Sequence, residues 1–211
     1  MNLFNERLLS EAEKKQIASA VESAEAKTSG EIVVCYVGQS GRYRWVYATA
    51  ALLGVFAGTV ASLAVHWGSW SFSAWNMLLW QSASSFVFLL LFQFPALRRL
   101  LISRTELATR THASAVRVFM ESGVMRTRDR TGVLIYVSVF EHRVEIIADQ
   151  GIHLVVGNGY WDQQVATIVL GIRGKKAGEA LCAAIAEIGS KLAGNFPPRS
   201  DDTNELPNQP I

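Results

Sequence analysis

The sequence predicts an α/β domain, layered helix, sheet, helix, that is interrupted by a two-helix membrane hairpin. Three observations predict it. Residues 45–97 contain no Asp, Glu, Lys or Arg. Two β-branched apolar runs, EIVVCYV (Glu31 to Val37) and TGVLIYVSV (Thr131 to Val139), stand on either side of that stretch. Helical patterns flank both runs, so the strands are expected to pair in parallel through a right-handed crossover, with helices covering the sheet.

The N-terminal helix is expected from Glu11 to Lys27. Ser10 and Glu13 have capping-box spacing, Ile17, Val21 and Ala24 share a face, and Glu11 and Lys15 can pair on the wet side. Thr28, Ser29 and Gly30 stop the helix, and the first strand follows. The pieces 45–67 and 75–95 each approach the roughly 20 apolar residues needed to span a hydrocarbon core of about 30 Å. Gly68 to Ala74, with one Gly and three Ser, suits the turn between them. Along the first span, Ala50, Gly54, Gly58 and Ser62 recur every four residues, and the Gly pair lets helices approach closely. The expected partner is the second span through Ala83 or Ser84; self-association or another membrane protein is the alternative.

After the hairpin, Ser103 and Glu106 repeat the capping-box spacing and Gly123 supplies a stop. The helix between them carries Ala108, His112, Ala115 and Phe119 on one face. Arg126 to Arg130 reads as a charged loop. The strand Thr131 to Val139 then turns at Phe140 to Arg143 into a partner strand, Val144 to Asp149. GIHLVVGNG is either an extension of the sheet or irregular. Trp161, Val165, Ile168 and Val169 mark one further helix, and Leu181, Ile185, Ile188 and Leu192 another. Residues 1–44 and 98–196 thus form one discontinuous soluble domain, 45–97 the hairpin, and the Pro-containing 197–211 an extended tail.

The chain has 211 residues and a formal charge of +2. With the hairpin set aside, about 150 residues remain, enough for one core. The near-neutral charge and the absence of a Lys/Arg run argue against nucleic acid. Arg42 and Arg44 precede the first span and Arg98, Arg99 and Arg104 follow the second, which by the positive-inside rule puts both termini in the cytoplasm and the hairpin in the plasma (inner) membrane. The polar start, MNLFNERLLSEAEKK, is not a signal peptide. Cys35 and Cys182 read as free buried thiols.

With two parallel strands and a third returning antiparallel, Ser29, Glu31, Asp129, Thr131 and Asp149 are expected at one edge of the sheet. Glu31, Asp129 and Asp149 could offer the oxygen ligands that Ca²⁺ or Mg²⁺ takes, and Arg128 and Arg130 could hold a phosphate oxygen. The alternative is that these acids are caps, turn formers and ion-pair partners on a solvated rim. The opposite edge, with Gly38, Glu141 and His142, is expected to face the bilayer. No GxSxG, P-loop or HExxH is present. His112 on its Ala- and Phe-bearing face reads as packed or interfacial, and Trp161 as core. A two-helix hairpin with no ionisable residue at mid-span makes a poor channel.

TSGEIVV (Thr28 to Val34), RDRTGVLIYVSVFEHRVEIIADQGI (Arg128 to Ile152), the Trp-led helix at Trp161 and NFPPRSDDTNELPN (Asn195 to Asn208) together resemble the TPM domain family. That family is named for plant thylakoid-lumen phosphatase-like proteins, photosystem II repair factors and an animal receptor auxiliary subunit. The resemblance implies a Rossmann-like sandwich, acid phosphatase activity in some plant members and divalent-cation binding in others. Many relatives carry the domain outside the cytoplasm; a hairpin splitting it is similar to a bacterial membrane-protein subgroup. The expectation is a membrane-anchored, non-enzymatic binding module for a protein partner or a divalent cation in membrane-protein maintenance. The alternative is a metal-assisted phosphatase using Glu31, Asp129, Asp149 and Arg130.

Overall fold

A computed structural model describes residues 9–67, 73–124, 130–153 and 155–198. The elements run α1 (Glu11–Glu25), β1 (Glu31–Val37), α2 (Arg44–Val65), α3 (Ala74–Leu91), α4 (Pro95–Leu101), α5 (Arg104–Glu121), β2 (Gly132–Ser138), β3 (Arg143–Ala148), α6 (Gln150–His153), α7 (Asn158–Arg173) and α8 (Ala177–Ala193). The architecture is mixed α/β, mostly helical, around a three-stranded sheet of order β1-β2-β3. Two compact units result: residues 1–40 with 108–211, and residues 41–107.

In the first unit β1 pairs with β2 in parallel, Glu31 opposite Gly132 through Val37 opposite Ser138. β2 pairs with β3 antiparallel, Val133 opposite Ala148 through Ser138 opposite Arg143. The period-2 alternation of a strand sends neighbouring side chains to opposite faces. Ile32, Val34, Val133, Ile135 and Val144 accordingly pack with Ile17 and Val21 of α1, Trp161 and Ile168 of α7, and Leu181, Ile185, Ile188 and Leu192 of α8. Val33, Cys35, Leu134 and Tyr136 point the other way, onto Ala115 and Phe119 of α5 and onto Val124. β2 is buried on both faces along its whole length, which explains why TGVLIYVSV shows no polar alternation.

The capping box on α1 forms: the Glu13 amide donates to Ser10 Oγ at 3.2 Å and the Ser10 amide to Glu13 Oε2 at 2.7 Å. Bonding to Ser10 holds the Glu13 carboxyl below its ordinary range. The ion pair on this helix joins Glu11 to Lys14, at 2.8 Å, instead of Lys15. α1 ends at Glu25 and not at Lys27, because the Lys27 and Thr28 amides bond three residues back, to Ala24 and Glu25, in a tightened final turn. GIHLVVGNG adds no strand: Asp149 caps α6, taking the His153 amide on its carbonyl at 3.0 Å and the Gln150 amide on Oδ1 at 2.6 Å. Cys35 is buried and Cys182 half-buried, both as free thiols. Burial raises both thiols, Cys35 to about 11.

The second unit is the helical hairpin. α2 and α3 are long and apolar enough to cross a membrane, with lengths of about 33 Å and about 27 Å at 1.5 Å per residue. Val46, Ala50, Gly54, Gly58 and Ser62 form the buried seam of α2, and α3 has no buried residue at all. A Cβ on Gly54 would stand 2.4 Å from Ser85 Cα, and one on Gly58 2.5 Å from the Trp80 carbonyl oxygen. The glycines are therefore used within the hairpin, against Trp80, Gln81, Ser84 and Ser85. Gln81 Nε2 donating to Thr59 Oγ1 at 2.9 Å and Ser85 Oγ donating to the Ala51 carbonyl at 3.1 Å add polar links between the two helices. Pro95 opens α4, a short helix that the sequence reading did not anticipate. The expected extended tail falls almost wholly at 199–211, outside the described residues.

Candidate functional site: the carboxyl rim of the sheet

Residues 28–31, 130–132 and 149 come together at the edge where β1 and β2 begin and β3 ends. The rim is tied by long-range bonds: Thr131 Oγ1 donates to the Ser29 carbonyl at 2.9 Å, Thr28 Oγ1 to the Phe196 carbonyl at 2.7 Å, and the Ser29 amide to the same Phe196 carbonyl at 3.1 Å. Arg130 is exposed and holds a left-handed backbone at φ 53°, a costly conformation for a non-glycine residue. Arg128 and Asp129 lie outside the described residues.

Glu31 (8% exposed) and Asp149 (6% exposed) are both buried. By strand alternation each belongs to the α5 face, with Gly132 in the row between them. Their backbones lie two strands apart, about 10 Å. A Cβ on Gly132 would meet Val124 Cγ1 at 2.3 Å and the Val124 carbonyl oxygen at 2.6 Å, so the chain leaving α5 lies directly over that intervening residue. Gly123 permits the descent by adopting φ 82°. Asp149 Oδ2 is buried and has no hydrogen-bond partner among the described residues. No cluster of three or more His, Cys, Asp or Glu side chains able to hold a metal occurs among the described residues.

The residue that sequence reasoning missed is Glu25. From the last turn of α1 its Oε1 accepts the Ile32 amide at 2.9 Å, and its carboxyl is hydrogen-bonded to that of Glu31. Burial, with the neighbouring Glu31 adding to it, pushes the Glu25 carboxyl up to about 8, although the Ile32 amide pulls the other way. A carboxyl raised to about 8 keeps its proton at neutral pH, which relieves the repulsion from the Glu31 carboxyl beside it. One signal was available in the sequence. An acid in the last turn of a helix sits at the negative end of the helix dipole, where Lys or Arg is usual, so a carboxyl there needs another reason to be present.

A second polar constellation occupies the far end of the strands. Ser40 Oγ donates to Ser138 Oγ at 2.7 Å and lies 3.0 Å from the Tyr136 hydroxyl, which donates to Ser114 Oγ at 2.9 Å. Ser138 Oγ donates to Glu141 Oε2, and Glu141 Oε1 accepts the Ser40 amide at 3.0 Å. Tyr136, Ser138 and Glu141 are 0–2% exposed. Buried hydroxyls so fully bonded to one another fix the ends of β1 and β2 and act as a structural clasp. His112, expected to be packed or interfacial, is not packed: it is exposed, and its Nδ1 lies 2.8 Å from Glu145 Oε2 on β3. Between α7 and α8, Gln164 Nε2 donates to Glu187 Oε2 at 2.6 Å, and the Lys191 ammonium stands 5.8 Å from the Tyr160 ring centroid. Burial, reinforced by Glu187, pushes the Tyr160 hydroxyl up to about 12.

The family model for the TPM domain matches residues 98–191. Over those residues the chain is similar to the TPM domain. The match begins at Arg98, after the hairpin, yet α1 and β1 lie in the same compact unit as residues 108–191 and β1 supplies an edge of the sheet. Among solved structures, the chain is similar to the BA42 protein from the psychrophilic bacterium Bizionia argentinensis, at 24% identity and a TM-score of 0.60, covering 100% of this chain and 98% of that one. At that identity the likeness is one of fold. No curated protein matches the chain.

Proposed function

We propose that this TPM-like protein is membrane-anchored by the α2–α3 hairpin and acts as a non-enzymatic binding module whose carboxyl rim takes a divalent cation, Ca²⁺ or Mg²⁺, in the service of a protein partner during membrane-protein maintenance. The soluble unit is a Rossmann-like sandwich in this reading, and both termini lie in the cytoplasm at the inner membrane. Anchoring is supported by the surface of the hairpin: Trp75, Leu79 and Phe86 are 75%, 67% and 63% exposed, an apolar load that water does not tolerate on a soluble domain. Arginines on both flanks support the orientation.

One observation carries the binding reading: the half-buried Glu25 beside the buried Glu31, a carboxyl pair that keeps a proton where a cation could sit instead. A hard cation would displace that proton and be held by the two carboxyls, with the loop residue Asp129 as a further oxygen donor and Arg128 and Arg130 as neighbours for an anionic partner group, while Asp149, beyond Gly132 and Val124, would stand outside the ligand set. Binding would release a proton. It would therefore weaken as pH falls below about 8, the value at which Glu25 gives its proton up.

Calorimetric titration of the full chain in detergent with CaCl₂ and with MgCl₂, at pH 6 and pH 8.5, tests this. Heat that is larger and tighter at pH 8.5, and lost in Glu31→Gln and in Glu25→Gln, is the expected outcome. No cation binding at either pH would overturn the reading. Cation-dependent phosphate release from a phosphomonoester, abolished by Asp129→Ala, would replace the module by a metal-assisted phosphatase.

A further inference from the structure

We infer that the base of the hairpin is a binding site for the headgroups of anionic phospholipids; the inference rests on the membrane-anchored reading and adds a ligand to it. Residues 41–107 hold five arginines, no lysine and a single carboxylate, Glu106. In sequence the arginines form two distant groups, Arg42 and Arg44 before α2, and Arg98, Arg99 and Arg104 after α3. The antiparallel spans bring the groups to one end, as two contacts record: Arg98 Nη1 donates to the Tyr47 hydroxyl at 3.2 Å, and Trp45 Nε1 to Glu106 Oε1 at 3.4 Å. The net result is a collar of +4 (five Arg less one Glu) at one end of an otherwise uncharged helix pair.

The other features of the collar fit a lipid better than a free anion. Trp45, Phe94 and Leu100 are 41%, 48% and 81% exposed at the same level as the arginines, so an occupant meets guanidinium groups and apolar side chains together. That mixture matches the boundary between headgroup and acyl chain. α2 begins at Arg44 with no side-chain cap on its first turn, so its N-terminal amides and positive dipole end add to the attraction for phosphate. Arginine is also the side chain whose planar fork grips a phosphate through two N–H groups at once. Each basic residue near an anionic surface contributes on the order of a few-fold in affinity, and four acting together should give a clear preference.

The test uses the full chain reconstituted into vesicles of equal phosphatidylcholine and phosphatidylglycerol, re-extracted in mild detergent, with the retained lipid counted by mass spectrometry. The expected result is enrichment of phosphatidylglycerol of about fivefold or more, falling with added salt, unaffected by millimolar inorganic phosphate, and lost in Arg42→Gln/Arg44→Gln/Arg98→Gln/Arg99→Gln. The corresponding four-fold Arg→Lys variant, which keeps the charge, should retain most of it. Equal retention of both lipids by the wild-type chain, enrichment that survives the Gln variant, or displacement by inorganic phosphate would each overturn the inference. Insertion into vesicles of phosphatidylcholine alone, scored by resistance to alkaline extraction, reports separately on anchoring: a chain that inserts there without preferring phosphatidylglycerol refutes the lipid site and leaves the anchor standing.

Discussion

Replacing Glu25 with Gln should remove a loss of stability that the sheet-containing unit suffers in alkali. In the folded chain the Glu25 carboxyl is pushed from its ordinary 4.5 up to about 8, mainly by burial. A group whose pKa rises on folding supports stability fully below its unfolded value and loses that support as pH climbs through the folded one. Between about pH 4.5 and 8 the native state holds a proton that the unfolded chain has released, so this carboxyl makes stability fall with rising pH across that window. At about 1.4 kcal/mol per pH unit the ceiling is about 5 kcal/mol, and partial exposure of the side chain reduces this to roughly 2 kcal/mol. The amide introduced by Glu25→Gln would preserve the protonated geometry, accepting the Ile32 amide through its oxygen and donating to Glu31 through its nitrogen. Thermal or urea unfolding of the full chain in detergent should therefore give Glu25→Gln curves that match wild type at pH 5 and exceed it by roughly 2 kcal/mol at pH 9. Parallel pH profiles for the two proteins would refute the retained proton.

Other perturbations probe separate parts of the structure. Gly58→Leu would drive a side chain into the backbone at Trp80 and Gln81, where even a Cβ has 2.5 Å, and should separate the spans, read as lost energy transfer between dyes placed on α2 and α3. Glu141→Ala would leave the Ser40 amide and Ser138 hydroxyl buried without their acceptor and should cost about 1–3 kcal/mol in unfolding free energy, whereas Ser114→Ala, at the end of the same chain of bonds, should cost less. Cys35, its thiol near 11, should resist iodoacetamide at pH 8 while the chain is folded and react once it is unfolded; rapid labelling of the native state would contradict the burial of β1. Ser10→Ala should lower stability by about 1 kcal/mol through loss of the capping box.

Much of this architecture was legible because it is written in local pattern. The apolar run of β2 is continuous because both of its faces are covered, and that same continuity identified it in the sequence. The parallel pairing of β1 with β2 followed from the connection between them, and the glycine spacing of α2 marked the seam that α3 now fills. What stayed hidden depends on distance in three dimensions. Glu25 looks like any solvated helical acid until the reversal at Thr28 to Gly30 folds it back onto the amide of Ile32. Ser40, Ser114, Tyr136, Ser138 and Glu141 come from four segments, and no spacing within one segment could have joined them. The rim itself was placed by topology, but the covering of Gly132 by Val124, which separates Glu31 from Asp149, depends on a backbone turn at Gly123. The packed reading of His112 fails because Ala and Phe neighbours on a helix face do not reveal a carboxylate on β3.

The central claim is that lipid surrounds α2 and α3 while the chain on both sides of them folds together in one compartment. Single cysteines placed at Ser73, the cap of α3, and at Ser190 on α8, in a background with Cys35→Ala and Cys182→Ala, test it with a membrane-impermeant maleimide on sealed right-side-out vesicles. The account expects Ser73→Cys to label from outside and Ser190→Cys to label only after the vesicles are opened. Labelling of Ser190→Cys in sealed vesicles, or of neither position before opening, would contradict it.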